Sequence, residues 1–106
     1  MAKGMNPQAM LKQAQKMQAK MQAIQDQASL ETVEATAGGG MVTATVYGDL
    51  KVKSIEIDPE AVDPDDVEML QDMIVAAVNQ GIADAQAMVE QKMSAVTGGM
   101  NIPGLF

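Results

Sequence analysis

Residues 32–57 read TVEATAGGGMVTATVYGDLKVKSIEI, and the fold turns on this stretch. Val33, Ala35 and Ala37 alternate with Thr32, Glu34 and Thr36, and Val42, Ala44 and Val46 alternate with Thr43, Thr45 and Tyr47. A period of two carried largely by β-branched residues marks half-buried strands. Gly38-Gly39-Gly40 lies between them and suits a hairpin that needs positive φ. Gly48-Asp49 supplies the next turn. A third strand is predicted from about Leu50 to Ile57, but its apolar phase slips: Leu50 and Val52 share one parity, Ile55 and Ile57 the other. A β-bulge near Lys53-Ser54 reconciles the two halves. The unit is a three-stranded antiparallel meander.

On the N-terminal side the period changes. Asn6 followed by Pro7 reads as a helix cap with proline at the first helical position. From there to about Ala28 the chain is rich in Gln, Met, Ala and Lys, which are good or fair helix formers. Met10, Ala14, Met17, Met21, Ile24 and Ala28 recur at spacings of four and three, a heptad-like apolar seam. On the C-terminal side Asp58-Pro59 ends the third strand. Asp63-Pro64-Asp65-Asp66 repeats the cap logic, with Asp63 as cap and acids in the first turn, where the helix dipole favours them. A second helix is expected over 63–96, with Val67, Leu70, Ile74, Ala77, Val78, Gly81, Ala85, Val89, Met93 and Val96 on its apolar face. Residues 1–5 are expected to form a loose arm and 97–106 a flexible tail. The predicted architecture is one α+β domain, α-β-β-β-α: helix 6–28, sheet 32–57, long helix 63–96. Such helices outrun three short strands, so their distal parts pair with each other, pair with another subunit, or project into solvent.

Composition narrows the function. The 106 residues include eleven Met but only Tyr47 and Phe106 as aromatics. A core built this way is thin, and much of the burial is expected across a homodimer interface. With no Cys, His or Arg, there is no disulfide, no thiolate metal site and none of the usual nucleophile–base or phosphate-clamping sets. No catalytic residue, metal ligand or cofactor is expected. The cluster Asp58, Glu60, Asp63, Asp65 and Asp66 has the spacing of caps and turns and lacks the pattern of an EF-hand loop. The glycine triplet is not G-x-G-x-x-G, and no helix follows it directly, so it is a turn and no phosphate cradle. The longest apolar run, Met73 to Val78, is six residues, well short of the roughly 20 that span a bilayer. A soluble cytoplasmic protein with no membrane partner is the expectation.

Charge carries the functional signal. Residues 1–25 hold four lysines and no acid, while residues 26–106 hold three lysines and all fourteen acids: +4 followed by −11 within a net −7. Lys12, Lys16 and Lys20 lie four apart on one side of the first helix, off the Met seam. Gln13, Gln15, Gln18 and Gln22 interleave them and can also donate to phosphate oxygens. Lys51 and Lys53 add a smaller basic spot. Such a row either faces a polyanion or lies neutralised against an acidic helix.

The helix MLKQAQKMQ (residues 10–18), the Gly-interrupted meander, IEIDP (residues 55–59) and the tail GGMNIPG (residues 98–104) together resemble the YbaB/EbfC family of bacterial nucleoid-associated proteins along essentially the full chain. The resemblance implies a homodimer with protruding helices, like tweezers, and binding to double-stranded DNA in the nucleoid with low sequence selectivity. It implies no catalytic residues. One departure matters. Where many members carry Arg at the end of the third strand and in the last helix, this chain has Lys51-Val-Lys-Ser54 and Gly81-Ile-Ala-Asp-Ala85. The DNA-contact expectation therefore rests on Lys12, Lys16, Lys20, Lys51 and Lys53. The rival reading is a dimeric scaffold whose Met-rich helices bind other proteins without binding DNA.

Overall fold

The computed structural model describes residues 6–98; the expected arm at 1–5 and the tail beyond residue 98 lie outside the described residues. Helix α1 spans Pro7–Leu30, strands β1, β2 and β3 span Thr32–Ala37, Val42–Tyr47 and Val52–Ile57, and helix α2 spans Val67–Gly98. A single 3-10 turn, Pro59–Ala61, precedes α2. The sheet order is β1-β2-β3 with both pairings antiparallel, the meander read from the sequence. Three glycines in succession take positive φ at the first hairpin (+64°, +69° and +96°), a backbone path that side chains oppose.

The phase slip in β3 has the expected cause. Thr45 pairs with Ser54 but Val46 pairs with Val52, leaving Lys53 as the extra residue of a bulge. The bulge returns Val52, Ile55 and Ile57 to one face, opposite Val46, Ala44 and Val42. The second hairpin closes with Tyr47 N–H donating to the Lys51 carbonyl (2.8 Å). Its three-residue loop ends in Leu50 at φ 71°, a left-handed position that glycine or asparagine would occupy with less strain.

Each helix start follows from a short polar side chain. Asn6 Oδ1 accepts from Gln8 N–H (3.0 Å), with Pro7 beside it at the start of α1. At α2 the expected cap moves. Asp63 instead folds a local turn by accepting from Asp65 N–H (2.9 Å), and Asp66 takes the capping role by accepting from Met69 N–H (3.2 Å). The helix therefore begins at Val67, where the apolar face begins, three residues after Pro64. Asp58 similarly accepts from Glu60 N–H (2.9 Å) and starts the 3-10 turn.

The core is made of small residues. Ala28, Val42, Ala44, Val46, Ala77 and Ala85 are fully buried, and Val42 and Val46 are the largest side chains in that state. Ala77, Gly81 and Ala85, four apart, turn one stripe of α2 onto β1 and β2. Leu70, Met73, Ile74 and Val78 pack along its border. A Cβ on Gly81 would sit 2.6 Å from Val46 Cγ2, so helix and sheet approach as closely as a bare glycine allows. At the other end of the sheet, a Cβ on Gly48 would fall 2.0 Å from the Ala28 carbonyl oxygen. That contact holds the end of α1 against the second hairpin.

These glycines make a graded prediction. Gly39→Ala meets open space and should cost only the left-handed strain, about 1–2 kcal/mol. Gly81→Ala should lose about 1–3 kcal/mol to overpacking even after the roughly 1 kcal/mol that alanine gains in helix propensity. Gly48→Ala should be the worst of the three, because the obstacle is backbone that no rotamer change removes. Urea unfolding midpoints of the three variants should rank in that order.

Candidate nucleic-acid interface

The path of the chain separates the charges in space. Met73, near the start of α2, lies under Gly38 at the first hairpin, while Val89, about four and a half turns later, lies against Gly48 at the second. Helix α2 therefore runs the length of the sheet, from the first hairpin toward the second. Helix α1 arrives at the second hairpin through Ala28 and packs mainly against α2, touching the sheet little. Lys20 is eight residues back from Ala28, about 12 Å along the helix axis, and Lys12 about 24 Å. The molecule extends over 77 × 23 × 15 Å, with a radius of gyration of 21.0 Å against the roughly 13 Å of a compact chain of this length. An α1 of about 36 Å continuing past the sheet accounts for that extension.

Burial along the Met seam follows the same geometry. Ala28 is fully buried; Ile24, Met21 and Met17 are half-buried; Ala14 and Met10 are exposed. Only the C-terminal half of the seam finds a neighbour, and the first turns of α1 are bare.

Lys12, Lys16 and Lys20 are exposed, the first two on these bare turns and Lys20 beside the half-buried Met21, and among the described residues none of them forms an ion pair. The acids that could have neutralised them are engaged elsewhere or stand on other surfaces. Asp26, on α1 itself, accepts from Gln22 Nε2 (2.9 Å), and Asp84, on α2, accepts from Gln80 Nε2 (2.8 Å). Among the described residues the one close ion pair joins Lys92 of α2 to Glu31, just after α1. It fastens the two helices where they leave the sheet and occupies the single lysine of α2.

Lys51 and Lys53 are placed differently. Both lie at the second-hairpin end of β3. Lys51 Nζ is 3.9 Å from Asp49 Oδ2, and Lys53 Nζ stands 5.9 Å from the centre of the Tyr47 ring, a cation–π distance. Side chains at Tyr47 and Lys53 thus share the sheet face turned away from α2. The structure brings these two lysines to the same end of the molecule as the α1 row, but on the sheet and partly engaged. Tyr47 was not singled out from the sequence; its place beside the bulge residue is the signal that links it to Lys53.

The acidic cluster does not assemble a site. Asp58, Asp63 and Asp66 are used as caps and turns, and no group of three or more metal-ligating side chains converges among the described residues. No described helix is long and apolar enough to cross a membrane.

The fold is that of a small α-β-β-β-α protein with two long helices leaving one end of the sheet. The chain belongs to the YbaB/EbfC DNA-binding family, whose model matches residues 3–100. It is 56% identical over 101 residues to a nucleoid-associated protein of Alkaliphilus metalliredigens, covering 95% of this chain and 89% of that one. A nucleoid-associated protein of Thermoanaerobacter pseudethanolicus is 52% identical over 103 residues, with 97% and 93% covered. Among solved structures, an uncharacterized protein of Helicobacter pylori shares the fold at TM-score 0.66 and 20% identity, covering 91% of this chain and 97% of that one.

If the α1 lysines are free of structural duty, removing them should not harm the subunit. The variant Lys12→Gln/Lys16→Gln/Lys20→Gln should keep its helical circular dichroism, and its unfolding free energy from urea titration should hold or rise by about a few tenths of a kcal/mol as like-charge repulsion between successive turns is lost.

Proposed function

We propose that this protein is a homodimeric nucleoid-associated protein that binds double-stranded DNA through phosphate contacts from α1, with low sequence selectivity. The observation that carries the reading is the exposed, unneutralised row Lys12, Lys16 and Lys20 on a helix segment that leaves the body of the molecule. Three ammonium groups about 6 Å apart along one helix side suit a line of phosphates, and the interleaved glutamines extend the set of donors. Lysine is a point charge with no bidentate fork, and the chain has no arginine. Base readout in the major groove is accordingly weak, and the contacts position the protein without selecting sequence. Lys51 and Lys53 play a secondary part at the base of the arm.

The dimer is supported by β3. Its apolar side chains share a face with the core of β2 but are only partly covered by α2: Val52, Ile55 and Ile57 remain 42%, 40% and 37% exposed. An apolar strip on an edge strand is an interaction surface in a soluble subunit. A second copy covers it and supplies the bulk that the Ala/Val core lacks. Two arms then present two lysine rows to one duplex. The family's DNA-binding description and the relatives' names support action in the nucleoid of the cytoplasm.

The dimer's net charge of −14, twice the chain's −7, opposes DNA at long range, so binding depends on local contact and counterion release. With three to five lysines engaged per subunit, log affinity against log salt should have a slope of roughly −5 to −9. Fluorescence anisotropy of a labelled duplex across a salt series measures it, and a slope near zero would overturn the phosphate mechanism. The Lys12→Gln/Lys16→Gln/Lys20→Gln variant should lose binding to duplexes of unrelated sequence equally. Undiminished binding by that variant would move the site off α1, and capture of a protein with no DNA retention would favour the scaffold reading.

A further inference from the structure

The Glu31–Lys92 pair sits where the direction of α1 is decided. Glu31 follows the last turn of α1 and leads the chain into β1. Its backbone is held twice: its N–H donates to the Ala28 carbonyl (3.2 Å), and its carbonyl accepts from Gly48 N–H (2.9 Å). These bonds anchor the end of the helix at a point and leave its direction open. The seam does not fix that direction closely either. Met17, Met21 and Ile24 are half-buried, and methionine, unbranched and with three rotatable bonds, follows small shifts of a helix at little cost. The ion pair adds a directional tie running sideways to α2. It is also more than an ordinary surface pair. Glu31 Oε2 is shut off from solvent although the side chain as a whole is 38% exposed, and the Lys92 ammonium faces it with no further hydrogen-bond partner. A carboxylate oxygen so placed is costly to leave without its cation.

We propose that Glu31 and Lys92 are positioning residues for DNA binding: their pair fixes the direction of α1 and so the alignment of Lys12, Lys16 and Lys20 with phosphates. The inference rests on the reading of α1 as the DNA-contacting helix. A small swing is enough to matter. Lys12 lies about 24 Å along the axis from Ala28, so a swing of about 10° carries it about 4 Å, more than the roughly 3.4 Å between successive charges along one DNA strand. The charge of the pair itself counts for little at the row. Glu31 is about 16 Å along the helix from Lys20 and about 28 Å from Lys12, against a screening length of roughly 8 Å at physiological ionic strength. A tie can bias an arm by no more than its own strength, which for a partly exposed pair is a factor of about two to five.

The rival role for Lys92 is a direct phosphate contact that Glu31 weakens, and the two roles differ in sign. Fluorescence anisotropy of a labelled duplex at fixed salt separates them. With positioning, Glu31→Gln should lower affinity about two- to fivefold per arm, although it removes a negative charge from an acidic protein. Lys92→Met should lower it at least as much, because it leaves Glu31 Oε2 buried without a cation. Both should keep the wild-type salt slope, and Glu31→Lys/Lys92→Glu, with the wild-type net charge, should recover affinity. A rise in affinity with Glu31→Gln, or a slope flattened by about 0.9 per lysine with Lys92→Met, overturns the proposal. Helix direction is read without DNA. The chain has no cysteine, so spin labels can be set at Gln15→Cys and Thr36→Cys, both exposed and outside the lysine row. In labelled chain diluted with unlabelled chain, the distance distribution should widen in Glu31→Gln and Lys92→Met, with circular dichroism and urea titration confirming that both are folded. An unchanged distribution overturns the proposal whatever α1 binds. A widened distribution with unchanged affinity overturns it too when Lys12→Gln/Lys16→Gln/Lys20→Gln has lost binding. If that triple variant still binds, the DNA reading is what fails, and the pair is left as a tie alone.

Discussion

How closely α2 can lie on the sheet governs the rest of the molecule. The stripe Ala77, Gly81 and Ala85 meets Ala35, Ala44 and Val46 with no long side chain between them. Close approach brings many atoms into dispersion contact at little cost in side-chain entropy. It also fixes what the helix covers. A helix about 10 Å across, seated on strands about 4.8 Å apart, shields two of them. Those are β1 and β2, and β3 is left with its apolar face open. The small-residue contact that secures the subunit thus also leaves it incomplete, and the thin core and the open strand are two results of one packing choice.

The same contact sets the charge geometry. Because α2 is pinned along the sheet from one hairpin to the other, its acidic start and the entry of α1 are held at opposite ends. The Glu31–Lys92 pair and the Gly48–Ala28 contact then fix where α1 departs. The imbalance along the sequence, basic before residue 25 and acidic after it, becomes an imbalance in space. A chain of similar composition with α1 folded back along α2 would set its lysines against Asp72, Asp84 and Glu90 and present little free positive charge.

Much of this was legible because it is local. Period-two alternation located all three strands, the parity break between Val52 and Ile55 located the bulge at Lys53, and Asn6-Pro7 located the start of α1. The start of α2 was misjudged because three aspartates within four residues can each cap, and local pattern does not rank them. Asp66 wins because it stands directly before the first apolar residue of the helix. The uneven burial of the Met seam was also illegible: Met10 and Met21 look alike in a heptad, and only the exit angle of α1 separates them. The same limit applied to the lysines. Their shared helix side followed from the spacing, but their freedom from acidic partners depends on contacts between residues far apart in sequence.

Helix α1 is held at one end only, and mechanically it is a cantilever. For a uniform elastic rod clamped at its base, the sideways displacement at the free end grows as the cube of the free length. Lys12, beyond the support that ends at Met17, therefore sweeps a wider arc than Lys20, which lies within it, for the same thermal energy. The row combines a stiff inner charge with a compliant outer one, and a binding surface graded in this way can follow a curved or irregular line of opposite charge without refolding.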